Sequence, residues 1–119
     1  MYSERLLDHF QHPRNVGELA PPAVTVAVSN PACGDMLQVS VRIEAGKVVE
    51  ARYKVRGCTA SIAAGSVLTE WLAGRTRAEL SAFPQSAIED ALGGLPPASR
   101  HAAALATDAV RALLQLFPE

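Results

Sequence analysis

Residues 37–56, LQVSVRIEAGKVVEARYKVR, carry the clearest structural signal in this sequence. Apolar residues alternate with polar ones on both sides of the short segment 45–47, which contains a glycine. A period of two residues is typical of β-strands that bury one face and expose the other. The short link therefore predicts an antiparallel hairpin, with Val49, Ala51, Tyr53 and Val55 on the buried face of its second strand.

The segments on either side of this hairpin predict one further strand and several helices, which together define the fold class. Residues 24–29 alternate in the same way and predict a further strand, so that the simplest sheet is a three-stranded antiparallel meander. Helical apolar spacing predicts helices near residues 3–10, 59–74 and 99–117. Capping-box patterns at Thr76 to Glu79 and Ser86 to Glu89 predict two short helices before the last one. We predict an α+β fold, a three-stranded antiparallel sheet with helices packed on one face.

The length, composition and net charge of the chain limit the classes of protein to which it can belong. It has 119 residues, 49% of them hydrophobic, and its 11 basic and 12 acidic side chains give a net charge of −1. We expect a single domain, residues 1–119, with no electrostatic drive toward nucleic acid or an anionic membrane. No apolar run reaches the roughly 18 residues of a membrane span. The N-terminus lacks the pattern of a signal peptide, so we expect a cytoplasmic protein whose two cysteines are thiols.

Four residues that can bind a metal stand beside predicted breaks between elements: Cys33, Asp35, Cys58 and His101. Taken singly, each has an ordinary explanation, as a small buried side chain, a turn residue or a residue of a first helical turn. Cys58 lies at a predicted helix N-terminus, where the helix dipole favours thiolate. Together the four offer two sulfurs, one nitrogen and one oxygen, a set that suits zinc or iron–sulfur centres. We expect them to converge on an accessible patch at one end of the sheet.

A resemblance to a known family rests on motifs spread along the whole chain. In order, these are residues 8–10 (DHF), 12–17 (HPRNVG), 30–35 (NPACGD), 57–58 (GC), 68–71 (LTEW) and 95–101 (LPPASRH). The set resembles the signature of the IscU / NifU N-terminal-type iron–sulfur cluster scaffold family. The resemblance implies a SufE/NifU-like fold that agrees with the one predicted from the periodicities.

The resemblance also implies a function. Cys33, Asp35, Cys58 and His101 fall at the family's ligand positions for iron or a [2Fe–2S] cluster, and Zn²⁺ is the ion expected in protein purified in air. The implied partners are a cysteine desulfurase, a frataxin- or ferredoxin-type helper and an Hsp70-type chaperone, with no nucleic acid and no membrane. The role implied is that of a binding scaffold rather than of an enzyme.

The chain departs from the family pattern at three places. The family has a third cysteine directly after the histidine, where this chain has Ala102, a position that we expect to be exposed. That cysteine is credited with receiving sulfur from the desulfurase. The family's chaperone-recognition segment ends in a lysine, which is Ser99 here, and the serine-rich turn after the second cysteine is Ala63-Ala64-Gly65-Ser66.

Two alternatives to a scaffold therefore stay open. The first is a divergent homologue that holds Zn²⁺ or Fe²⁺ in the same site, no longer assembles clusters, and regulates or binds assembly partners. The second is a small thiol redox protein that uses Cys33 and Cys58. We rank the second last because the chain has no Cys-x-x-Cys motif and because this function leaves Asp35 and His101 without a role.

Overall fold

The computed structural model describes residues 2–30 and 34–117. The strands follow one another in the order β1-β2-β3, and both neighbouring pairs are antiparallel. The predicted α+β fold with a three-stranded meander is therefore confirmed. The elements, in chain order, are α1 (Glu4–Gln11), β1 (Val24–Asn30), β2 (Asp35–Glu44), β3 (Lys47–Arg56), α2 (Thr59–Leu72), α3 (Arg77–Ser81), α4 (Ala87–Ala91), a 3₁₀ turn (Pro97–Ser99) and α5 (His101–Leu116).

One face of the sheet carries the core, as predicted. Leu37, Val39 and Tyr53 are each at most 1% exposed and point toward the helices. Helix α2 packs over β3, and α5 packs over β1 and β2. On the opposite face, charged side chains such as Arg42 form ion pairs at the surface. The two longest helices, α2 and α5, therefore cover one face of the sheet.

The hairpin between β2 and β3 contains an irregularity that the sequence pattern does not reveal. Arg42 pairs with Glu50, but Ile43 pairs with Val48, so that Val49 is an extra residue on β3. Such a β-bulge reverses the inward and outward alternation of the residues beyond it. Val49 is 44% exposed and Val48 is fully buried. The prediction that Val49 lies on the buried face was wrong for this reason.

Of the two predicted capping boxes, the structure shows one. Thr76 forms the predicted capping box with Glu79. Ser86 does not form the second one, because its backbone is helical (φ −87°, ψ −4°) rather than extended, and its side chain makes no capping hydrogen bond. The helix after Ser86 forms nevertheless. Within the described residues, no helix combines the length and the apolar character needed to cross a membrane.

The first turn of α5 gives a further correction. His101 lies in the first turn, as predicted, but it is the first residue of the helix, which begins two residues later than the predicted start near residue 99. Ala102 is only 1% exposed and belongs to the core. The expectation that position 102 is exposed was wrong, because this residue begins the apolar stripe that α5 buries along its whole length.

Helix α2 lies closer to the sheet than most side chains would allow. Ten of its fourteen residues are buried. A Cβ atom built on Gly65 would overlap the Tyr53 ring, on β3 below it. The Tyr53 hydroxyl donates a hydrogen bond to the Ile62 carbonyl oxygen of the same helix at 2.8 Å. Glycine at position 65 thus sets the distance between α2 and the sheet.

We predict that Gly65→Ala destabilises the protein. The added methyl group must displace the Tyr53 ring or the helix, at a cost of about 1–3 kcal/mol for overpacking. In an open helix position the same change would stabilise by about 1 kcal/mol, because alanine is the better helix former. Urea unfolding of the parent protein and of Gly65→Ala shows whether the substitution lowers or raises the free energy of unfolding. A more stable variant would contradict the close packing.

Candidate metal centre

Three of the four predicted site residues meet at one end of the sheet. Asp35 is the first residue of β2, Cys58 is the N-cap of α2, and His101 is the first residue of α5. Each thus stands at the end of a regular element, which fixes where its side chain starts. The fourth predicted residue, Cys33, lies outside the described residues.

The ligand atoms of these three residues face one another. Cys58 Sγ lies 3.4 Å from His101 Nε2 and 3.6 Å from Asp35 Oδ2, and the latter two atoms are 3.2 Å apart. Bonds of about 2.3 Å to sulfur and about 2.0 Å to nitrogen or oxygen at tetrahedral angles put such atoms about 3.5 Å and about 3.3 Å apart. The three separations therefore match three edges of a tetrahedral metal site.

The same geometry disfavours a nucleophilic triad. In such a triad one ring nitrogen of the histidine faces the nucleophile and the other faces the carboxylate. Here Cys58 and Asp35 both approach Nε2 of His101. Convergence on one nitrogen is the arrangement expected when three side chains share one ion.

Asp35 forms the floor of the centre. It is 5% exposed, whereas Cys58 and His101 are half-buried and reachable from solvent. Burial raises the pKa of Asp35, but hydrogen bonds from the Ser61 hydroxyl and from the Cys58 side chain and backbone outweigh it, and His101 adds to them. The net pKa lies below the ordinary value, so that the carboxylate is charged and able to bind a cation at neutral pH.

Ser61 belongs to the centre and was missed by the sequence analysis. It is 2% exposed, its hydroxyl donates to Asp35 Oδ2, and its Oγ lies 3.4 Å from Cys58 Sγ. The signal that could have found it is its spacing. Ser61 follows the N-cap Cys58 by three residues, and residues three apart in a helix share a face.

Gly57 makes room for the buried carboxylate. A Cβ atom at this position would lie 2.7 Å from Cγ of Asp35 and 2.9 Å from both of its oxygens. A contact this short forces the carboxyl group to move. The Gly-Cys pair therefore serves the centre twice, with a sulfur and with space for Asp35. Among the side chains that the structure describes, no second group of three or more His, Cys, Asp or Glu side chains has this potential for metal binding.

Comparisons with known proteins find relatives that match this chain over nearly all of its length. Residues 1–119 match the family described as NifU-like N terminal domain. The chain is 38% identical over 118 residues to the iron-sulfur cluster assembly scaffold protein IscU of Azotobacter vinelandii, an alignment that covers 96% of this chain and 91% of that protein. It is also 38% identical over 111 residues to the iron-sulfur cluster assembly scaffold protein IscU 1 of Archaeoglobus fulgidus, covering 93% of this chain and 72% of that one.

A solved structure shows the same fold. The chain named FiSufU, from Fervidobacterium islandicum AW-1, superposes with a TM-score of 0.77 over 95% of this chain and 96% of its own length. The sequence identity of the pair is 20%, so this likeness concerns the fold alone.

We predict that Gly57→Ala raises the pKa of Asp35. The methyl group pushes the carboxylate away from Ser61 and Cys58, whose hydrogen bonds lower its pKa, while burial continues to raise it. In the parent protein, the stability contributed by Asp35 is present above its ordinary pKa and is lost as the pH falls through the lowered pKa. Acidification should therefore cost the variant less stability from this group.

NMR titration of the side-chain carboxyl carbons measures this pKa directly. Asp8 is an internal control, because its pKa is lowered chiefly by a hydrogen bond from Arg14, a contact that involves neither Gly57 nor Asp35. An Asp35 that titrates identically in both proteins would show that position 57 leaves the carboxylate undisturbed.

Proposed function

This chain belongs to the NifU-like N-terminal domain family, and from that membership we propose that it is an iron–sulfur cluster assembly scaffold or carrier. In this function it binds iron and a [2Fe–2S] cluster as cargo and passes the cluster to acceptor proteins. The observation that carries the proposal is the meeting of Asp35 Oδ2, Cys58 Sγ and His101 Nε2 at tetrahedral separations. The two curated relatives compared above are named as scaffold proteins of this kind.

We propose Cys33 as the fourth donor of the site. It precedes Asp35 by two residues in the sequence, and a second thiol would complete a set of two sulfurs, one nitrogen and one oxygen. Thiolates are the ordinary ligands of iron–sulfur clusters, and carboxylate and imidazole are harder ligands. A mixed set on an accessible surface would hold its cargo loosely enough to hand it on, which a scaffold requires.

In this proposal, a partner protein rather than this chain releases sulfur from cysteine. We propose that a cysteine desulfurase supplies the sulfur, that a frataxin- or ferredoxin-type helper assists, and that an Hsp70-type chaperone promotes release. This chain would then act by binding and positioning rather than as an enzyme. The segment Leu95-Pro96-Pro97, at the position of the family's chaperone-recognition segment, is followed here by Ala98-Ser99 without the lysine of the family pattern.

One observation favours a second function. Position 102 carries a buried alanine in place of the family's third thiol. A divergent homologue could hold a single Zn²⁺ or Fe²⁺ in the same site without assembling clusters. Zinc suits a tetrahedral set of sulfur and nitrogen donors and resists oxidation, so we propose it as the ion in protein purified in air.

We predict that His101→Ala weakens metal binding by at least about 100-fold, since even the loss of a partner that orients a ligand costs 10–100-fold. His12→Ala is the matched control, because His12 is exposed and lies outside the centre. Competition of Zn²⁺ with a chromophoric chelator measures both affinities. Metal binding releases protons, so affinity should fall in acid, and a Cys33→Ser variant in the same series tests the fourth donor.

Equal losses in the two histidine variants would contradict the assignment of the centre. Full metal binding by a Cys33→Ala, Cys58→Ala double variant would also contradict it.

We predict that Ala102→Cys raises the yield of [2Fe–2S] cluster, because it restores a thiol next to His101. Because position 102 is buried, the added sulfur should cost about 1 kcal/mol or more by overpacking. The test is anaerobic reconstitution with Fe²⁺, cysteine, a cysteine desulfurase and a thiol reductant that reduces the transferred sulfur to sulfide, read by absorption spectra. Ala104→Cys is the control, since it adds a thiol at an exposed position two residues further along the same helix.

Equal cluster yields from the parent protein and Ala102→Cys would show that the missing thiol does not limit assembly. A parent protein that binds metal but forms no cluster, together with an Ala102→Cys variant that does, would favour the divergent homologue.

A further inference from the structure

A buried hydroxyl holds the carboxylate of the metal centre in place. Ser61, in the first turn of α2, is 2% exposed, and its hydroxyl donates to Asp35 Oδ2. Oδ2 is also the oxygen that faces His101 Nε2 at 3.2 Å and Cys58 Sγ at 3.6 Å. The hydroxyl thus bonds the very atom of Asp35 that completes the group of three.

This contact restricts the one free motion of the carboxylate. Rotation about the last bond of an aspartate side chain is broad and roughly two-fold, so that either oxygen could face a ligand. The Asp35 backbone is fixed by pairing with Asn30 in the sheet, but that pairing does not orient the carboxyl plane. A charge-assisted hydrogen bond from the Ser61 hydroxyl to Oδ2 supplies this orientation.

Helix geometry places Ser61 for this task. Its Oγ lies 3.4 Å from Cys58 Sγ, three residues earlier at the N-cap of α2. One helical turn therefore presents a thiol to the ion position and a hydroxyl to the carboxylate beside it. Gly57 leaves the space that the oriented carboxylate occupies.

We propose that Ser61 is a positioning residue of this metal centre, which acts on the bound ion through Asp35. The inference rests on the proposed function, since it assumes that the centre binds metal. Partners that orient metal ligands are worth about 10–100-fold in affinity. Removal of the hydroxyl should therefore weaken binding by about tenfold or more while both thiols and His101 remain.

Ser66 offers a matched control on the same helix. It is fully buried, and its Oγ accepts from the Arg14 backbone N–H at 2.9 Å and contacts His9 Nδ1 at 2.7 Å. These contacts tie α2 to the segment that contains α1, away from the centre. Ser66→Ala thus removes a buried hydroxyl from α2 without touching Asp35.

The experiment titrates the full chain with Co²⁺ without oxygen and then displaces it with Zn²⁺. In Ser61→Ala we expect the loss of affinity given above and altered ligand-field bands, while sulfur-to-cobalt charge transfer persists because Cys58 still binds. In Ser66→Ala we expect the parent's affinity and spectrum with a lower thermal midpoint. In an Asp35→Ala background, Ser61→Ala should have no further effect on affinity, because the residue it positions is gone.

Three results would overturn the inference. They are parent-like affinity and spectrum in Ser61→Ala, equal losses of affinity in Ser61→Ala and Ser66→Ala, and a loss caused by Ser61→Ala that persists without Asp35. A parent protein that takes up no Co²⁺ would instead refute the proposed function, and the role of Ser61 with it.

Discussion

The contact between Gly65 and the ring of Tyr53 is the constraint on which the rest of the structure depends. It lets α2 lie directly on β3, and ten of the helix's fourteen residues become buried as a result. The Tyr53 hydroxyl then reaches the Ile62 carbonyl oxygen. Burial raises the pKa of Tyr53 to about 12, so that this hydroxyl stays protonated and keeps donating at neutral pH. The position of the helix is thereby fixed on the sheet, and so is its N-cap, Cys58.

The candidate metal centre follows from this placement. Three residues that are far apart in the sequence stand at the ends of three rigid elements, and their ligand atoms meet without any long loop to hold them. A buried carboxylate such as Asp35 needs compensating donors, and it receives them from Ser61 and Cys58. The hydrogen bonds that compensate for the burial of Asp35 therefore also orient its carboxylate toward Cys58 and His101.

Family membership indicates the general function of this chain, whereas the residues at the candidate metal centre indicate how this chain differs from the family pattern. Membership, together with the named relatives, points to iron–sulfur cluster assembly. The donor set proposed for this chain has one sulfur fewer than the family pattern, because position 102 is an alanine that packs into the core. Of the three departures from the family pattern, this one lies in the first turn of α5, where the alanine side chain serves packing.

The sequence by itself determined the classes of the elements, the hairpin and three candidate ligands that the structure brings together, Asp35, Cys58 and His101. These features depend on local periodicity and on motifs, which a single chain displays directly. The tertiary structure decided the outward position of Val49, because a bulge arises from pairing between strands and leaves no mark in the period of one strand. It also decided the burial of Ala102 and the bond from Ser61 to Asp35. Both depend on which elements approach one another, and at what distance, and the packing of α2 and α5 on the sheet sets that distance.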